Sequence, residues 1–313
     1  MGVEAAFSTS MRILQVNASD NRGGAAMVAW SLHQAFQNEG FTGTMAVKRK
    51  YSSDLQVQEL DNTTSIWTAF WKGIAASGSF RSISLFSTLC HWLAEPGHHT
   101  RRILGIEEFE FPASREVDIT NYDLIHCHVL HGGYFDLRLL KEWSRKRPVV
   151  ITLHDAWLLA GHCAHSFNCE KWKTGCGSCP DITIPVALER DNSAFNWKRK
   201  RRVFEQSTLY VAAPSQWLLN KAKQSILASG TRGFHHIIHG VDTSVFRPAD
   251  KARCRSQLKL PQDTFVVLFA ANGIRKNRWK DFPTLIAAVR KISTDVSNKN
   301  ILFVALGQDG QQE

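Results

Sequence analysis

The run Thr152-Leu153-His154-Asp155 sets two titratable side chains directly behind a short apolar stretch, where a strand ends and a ligand can be met. An imidazole at such a point can donate or accept a hydrogen bond near neutral pH. Asp155 is open to two readings, as the group that orients His154 or as a helix N-cap. Asp123-Leu124-Ile125-His126-Cys127-His128 has a similar form, and without a metal-ligand partner His126 and His128 read as structural or cleft-lining. Gly23-Gly24 stands between an apolar run and a helical pattern. Amides at such a junction can approach a phosphate at the positive end of a helix, although a plain structural turn uses the same residues.

Between residues 162 and 180, Cys163, Cys169, Cys176 and Cys179 fall in a C-x5-C-x6-C-x2-C arrangement with Trp172 and Gly175 between them. Four thiolates satisfy the tetrahedral preference of zinc, and a reducing compartment disfavours disulfides, so structural zinc is an expectation here. An iron-sulfur cluster, unligated thiols or a redox pair are the other readings, and His162 or His165 could replace one sulfur. Nothing in the spacing supplies an open coordination position, so no catalytic metal is expected. Cys90, Cys127 and Cys254 read as bystanders.

These residues need a frame that brings strand ends together. Met11 to Asn17 is a short apolar run, followed beyond the glycines by Ala25, Val28, Ala29, Leu32 and Phe36 at helical spacing. Comparable units follow: a strand over 122–128 and a helix near 135–143, a strand over 148–153, a strand over 209–213 and a helix capped by Ser215, and a strand over 234–239. Strands alternating with helices predict an α/β fold with a doubly wound parallel sheet. The rhythm restarts with a strand over 264–270, a helix over 283–289 and a strand over 301–306, which predicts a second α/β domain from residue 261. About 50 residues fall short of an ordinary domain of roughly 100, so this second domain is expected to be incomplete.

The segment 63–95 departs from the pattern, with Trp67, Phe70, Trp71, Phe80, Phe86 and Trp92 among serines. Both an amphipathic helix pair at a membrane interface and ordinary core-covering helices have this composition. Residues 1–10 are left out as a disordered leader or appended remnant.

The chain of 313 residues carries a formal charge of +10 with 43% hydrophobic residues, which suits a two-domain protein with an anionic partner. Nucleic acid is not expected, because basic runs such as Lys198-Arg199-Lys200-Arg201-Arg202 are scattered, read as solvated helix faces and match no reading motif. No apolar stretch reaches the roughly 18 to 20 residues of a spanning helix, and the first ten residues lack a signal-peptide core, so a cytoplasmic chain is expected.

Residues 237–248, Ile-Ile-His-Gly-Val-Asp-Thr-Ser-Val-Phe-Arg-Pro, combine a strand end, a turn and a helix-forbidding proline. Gly240 is expected where a side chain would not fit, and Asp242 and Thr243 are expected to hold the turn through their own oxygens. The segment resembles the Asn-Gly-Val-Asp-x-x-x-Phe-x-Pro element of GT-B glycosyltransferases of the sucrose and glycogen synthase-like group, with His239 in place of Asn. The His-Asp-x-Trp run and cysteine loop are similar to those of exopolysaccharide transferases of the colanic acid kind. Residues 270–285 resemble the donor-phosphate element Gly-Arg-x…Lys-Gly…Leu, with Lys280 at the lysine and Asp281 at the glycine. The arginine is absent from its place, and Arg275, Lys276 or Arg278 could supply its charge, or the whole stretch is a solvated basic turn.

The resemblance implies two Rossmann-like domains, with an acceptor-side domain over 11–260 and the start of a donor domain over 261–313. It implies a retaining transfer from a nucleotide-diphosphate sugar to a saccharide or lipid-linked acceptor in surface polysaccharide synthesis. Peripheral contact with the inner membrane would accompany such an acceptor. On it, His154 touches the donor sugar; Gly23, Gly24, Lys280 and Arg275 meet the diphosphate; Asp155, His128, Gly240 and Asp242 line the acceptor side or cleft. The family's later Glu-x7-Glu element has no counterpart in these residues. A catalytically incomplete binding module and a zinc- or redox-responsive protein built on the four cysteines are the rival expectations.

Overall fold

The computed structural model describes residues 11–60, 96–106, 111–271, 278–295 and 300–307, with single positions at 70, 74, 89, 90, 93 and 273. The aromatic segment 63–95 lies almost wholly outside the described residues, as do Arg275 and Lys276. The chain divides into two compact units, Met1–His239 and Gly240–Glu313.

Seven strands form the sheet of the first unit: β1 Arg12–Ser19, β2 Thr42–Arg49, β3 Val57–Glu59, β4 Leu124–Cys127, β5 Val149–Thr152, β6 Leu209–Ala213 and β7 Thr231–His236. Their order is β3-β2-β1-β4-β5-β6-β7, and every neighbouring pair is parallel. A parallel sheet is covered on both faces, so β1 buries Ile13, Leu14, Gln15, Val16 and Asn17 in succession and does not alternate. This is the α/β, doubly wound architecture that the strand-helix rhythm predicts. The order reverses direction at β1, whose two neighbours are β2 and β4.

Helix α1, Gly24–Asn38, leaves β1 through Gly23, whose φ of 100 lies in the left-handed region that glycine tolerates. Its inward face is Ala26, Ala29 and His33, with the expected Ala25, Val28, Leu32 and Phe36 half-buried beside it. The expected helix near 135–143 is shorter, Leu139–Trp143, because Tyr134 and Phe135 enter the core from the preceding loop. Ser215 caps the helix Gln216–Lys223 by accepting the Leu218 amide. The last strand of this sheet runs over Thr231–His236, three residues ahead of the expected 234–239.

A smaller cluster of Ala29, Met45, Val47 and Val57 lies on one face of the sheet, and a large core covers the other, with Tyr134, Phe135, Trp157 and Phe204 all fully buried. Each such side chain contributes about 1.5–3 kcal/mol through burial. The helix Ser193–Glu205 turns Asn196, Trp197, Lys200, Val203 and Phe204 inward. Lys200, expected on a solvated face, is fully buried and donates to the carbonyls of Trp157, Ala160 and Gly161 at 3.0, 3.1 and 3.4 Å. Three carbonyl oxygens replace the hydration that the ammonium loses.

The second unit pairs strands β8 Phe265–Ala270 and β9 Ile301–Leu306 in parallel, with helices Lys251–Gln257 and Phe282–Asp295. Asp242 holds its opening turn, with Oδ1 accepting from the Ser244 amide at 2.8 Å and from Oγ at 2.6 Å. Its backbone oxygen accepts from Val245 and Phe246. Gly240 departs from expectation. A Cβ there would meet no described atom within 4 Å, and its φ is not left-handed.

Candidate functional site

The reversal of strand order between β1 and β4 opens a crevice at the carboxyl ends of the strands, which is where open α/β sheets bind ligands. Gln15 and Asn17 come from β1, His126 and His128 from the end of β4, and His154 and Asp155 from the turn after β5. Asn17 ties two of these ends together, because its Oδ1 accepts the Val129 amide at 3.2 Å and its Nδ2 donates to Ser19 O at 2.8 Å.

Four imidazoles form a column. The ring centroids of His126 and His128 are 4.2 Å apart, those of His128 and His154 5.4 Å, and those of His154 and His239 5.5 Å with an interplanar angle of 26°. His126 Nε2 lies 2.8 Å from Thr152 Oγ1, and His128 Nδ1 lies 3.1 Å from His154 Nε2. Burial lowers the pKa of His126 to about 4, with a further contribution from His154. His154 is also lowered to about 4, first by burial and then by His239, against a smaller opposing effect of Asp155. His128 is held well below its ordinary value by burial and then by His126, His154 and His239, and His239 is lowered by burial. These rings are neutral at pH 7 and serve as hydrogen-bonding groups without charge.

Asp155 departs from its expected role as the orienter of His154. Its Oδ2 lies 2.8 Å from His131 Nε2, and its Oδ1 accepts the Trp157 amide at 2.9 Å ahead of the 3-10 turn Trp157–Leu159. The alternative N-cap reading is nearer to what is found. Burial alone would raise its pKa, but the hydrogen bond and charge of His131 and the Trp157 amide outweigh that and hold it below the usual carboxylate range. His128, His131, His154, Asp155 and Trp157 line one small hollow.

Gly23 and Gly24 lie at the same edge of the sheet, after β1. No side chain caps α1, and a Cβ at either glycine would meet no described atom within 4 Å, so the first amides of the helix are accessible. Lys280 and Asp242 belong to the second unit, where Lys280 is exposed in the short 3-10 turn Arg278–Lys280.

The cysteine loop folds around a second hollow lined by Cys163, Cys169, Cys176, Cys179, His162 and Trp172, among others. Among the described residues, no group of three or more His, Cys, Asp or Glu side chains is arranged to hold a metal ion, so the zinc expectation is not supported. Two of the four thiols have other partners. Cys176 Sγ accepts the Gly161 amide at 3.2 Å, and Cys179 Sγ lies 3.2 Å from His162 Nε2, whose Nδ1 donates to Val186 O at 2.9 Å. Burial raises Cys163 to about 12 and Cys176 to about 11, so both are protonated at neutral pH.

Sequence reasoning missed Gln15, Asn17, His131 and the stacking role of His239. The partners that bring them into the site, His128 for Gln15, Val129 for Asn17, Asp155 for His131 and His154 for His239, lie far off in the chain. No helix among the described residues is long and apolar enough to cross a membrane.

No family model matches this chain. It is 28% identical over 199 residues to WcaC of Escherichia coli (strain K12), a protein named as a colanic acid biosynthesis glycosyl transferase; the match covers 61% of this chain and 45% of that protein. It is 26% identical over 210 residues to D-inositol 3-phosphate glycosyltransferase 1 of Catenulispora acidiphila, covering 65% and 41%. The matches thus span less than half the length of either relative. The crystal structure of Anabaena HepE in complex with UDP-glucose superposes with a TM-score of 0.44 at 15% identity, over 95% of this chain and 69% of HepE. By these sequence matches, as by its own motifs, the chain is similar to GT-B glycosyltransferases of group 1.

Proposed function

We propose that this chain is part of a glycosyltransferase that moves a sugar from a nucleotide-diphosphate sugar to a saccharide or lipid-linked acceptor. The observation that supports this best is the neutral His154, held by His128 at the crevice beside β1 and β4 and on the same sheet edge as the uncapped glycine start of α1. A neutral imidazole can bond a sugar hydroxyl without the desolvation cost of a charged ring. Open amides at a helix start favour an anionic group. The sequence similarity to two named glycosyltransferases supports the same reaction class.

In this reading, residues up to 260 form the acceptor side, where His154 meets the transferred sugar and the start of α1 its diphosphate, and those from 261 meet the donor nucleotide. Lys280 and Arg275 supply positive charge for the departing diphosphate, and such charge is worth most in the transition state. The acceptor hydroxyl attacks on the face from which the diphosphate leaves, so configuration is retained. The net charge of +10 suits a lipid-linked diphosphate acceptor at the inner membrane surface, in the making of surface polysaccharide.

The test uses the full-length protein with UDP-glucose, UDP-galactose, GDP-mannose and GDP-fucose, and lipid-linked saccharides extracted from the source cells. Transfer from one donor, reduced at least roughly 100-fold in His154→Ala with the fold retained, is the expected result. Neither binding nor transfer with any of the four would overturn the reading.

A further inference from the structure

Gln15 is fully buried on β1, and its Nε2 lies 3.0 Å from Ala29 O and 3.3 Å from His128 Nε2. A backbone carbonyl only accepts, so the amide nitrogen, and not the oxygen, must face Ala29. The second hydrogen of that nitrogen is then directed to His128 Nε2, which must accept it. A neutral His128 therefore carries its proton on Nδ1. That nitrogen lies 3.1 Å from His154 Nε2, so His128 donates and His154 accepts. The proton of His154 is left on Nδ1, which has no hydrogen-bond partner among the described residues.

We propose that Gln15 is a positioning residue which, through His128, fixes His154 as the Nδ1–H tautomer and so gives its free ring nitrogen the character of a donor. The rotation of one buried amide thus sets the polarity of a group two side chains away. The burial that keeps His128 and His154 neutral is compatible with this chain, because a protonated ring at either position would bring two N–H groups together. The proposed ligand group is a hydroxyl oxygen of the transferred sugar, and this assignment alone rests on the transferase reading above.

The experiment is long-range nitrogen–proton NMR on full-length protein carrying nitrogen-15 histidine, at pH 7.5, with transfer kinetics on the same samples. Wild type is expected to show the Nδ1–H form at both His128 and His154. Gln15→Glu substitutes an acceptor for the donor and is expected to invert both rings to Nε2–H. Gln15→Met removes the donor without imposing the opposite order, and is expected to give a mixed population at His128. An Nε2–H ring at either position in wild type, an unchanged His154 in a folded Gln15→Glu, or an undisturbed Nδ1–H pair in Gln15→Met would each overturn the proposal. If the rings invert, kcat/KM for the donor should fall roughly 10- to 100-fold in Gln15→Glu. Inversion with unchanged transfer upholds the tautomer relay and removes His154 from sugar recognition, so the two failures are distinguishable.

Discussion

His131 Nε2 lies 2.8 Å from Asp155 Oδ2, which joins the loop after β4 to the turn after β5 at the mouth of the histidine column. The carboxylate also receives the Trp157 amide, so one side chain holds both the site loop and the 3-10 turn that seats a fully buried tryptophan. Its consequences for stability and for the site are separable by substitution.

Asp155→Ala removes the acceptor for both donors and is expected to destabilise the protein by about 2–3 kcal/mol. Asp155→Asn keeps an acceptor for Trp157 and should cost about 1 kcal/mol. Urea unfolding of the two variants gives the comparison, and equal losses would show that the bond to the Trp157 amide contributes nothing beyond the one to His131.

Acid sensitivity follows from the neutral rings. In the unfolded chain His126 and His154 protonate near 6.5, whereas in the folded protein they resist protonation until about 4. Between these values the unfolded state binds more protons, so stability is full above about 6.5 and is lost progressively as the pH falls toward 4. Urea midpoints measured from pH 7.5 to 4.5 should decline, with a shallower slope in His154→Gln. A flat profile would mean that the rings are not buried in neutral form.

Lys200→Met keeps most of the side-chain volume but leaves the carbonyls of Trp157, Ala160 and Gly161 without their donor. A loss of about 2–3 kcal/mol is expected, larger than for any exposed lysine of the same helix. Lys198→Met, on the exposed face, is the control and should stay within about 0.5 kcal/mol of wild type.

The glycines separate by what surrounds them. A Cβ at Gly161 would stand 2.4 Å from Ser193 O, a backbone atom, so Gly161→Ala should destabilise by about 2 kcal/mol or more. At Gly24 nothing described lies within 4 Å, and Gly24→Ala should leave stability nearly unchanged. Gly24→Asp should also fold but weaken donor binding through charge repulsion at the helix start, as measured by calorimetric titration with UDP-glucose or whichever donor is used in transfer. Undiminished binding would remove α1 from diphosphate recognition.

Local signals were legible in the chain itself. The apolar run of β1, the Gly23 turn, the Ser215 cap, the Asp242 turn and the restart at β8 are each written within a few consecutive residues, because backbone freedom and side-chain periodicity act over that distance. The polar ends of the strands could be named for the same reason. Strands β2 and β3 escaped because Gly43 and polar ends in β2 and a length of three residues in β3 leave little periodic signal, and their strand state depends on pairing, β2 with β1 and β3 with β2.

The tertiary structure decided which ends meet. Strand order places β1 beside β4, so Gln15 reaches His128 across 113 positions of sequence, and no local pattern encodes that neighbour. The same holds for the bond between His131 and Asp155, for the burial of Lys200 under three carbonyls, and for Cys176 and Cys179, which meet an amide and an imidazole. Hydrogen-bond direction and desolvation are properties of the assembled neighbourhood, and residue type alone leaves them open until the sheet is closed.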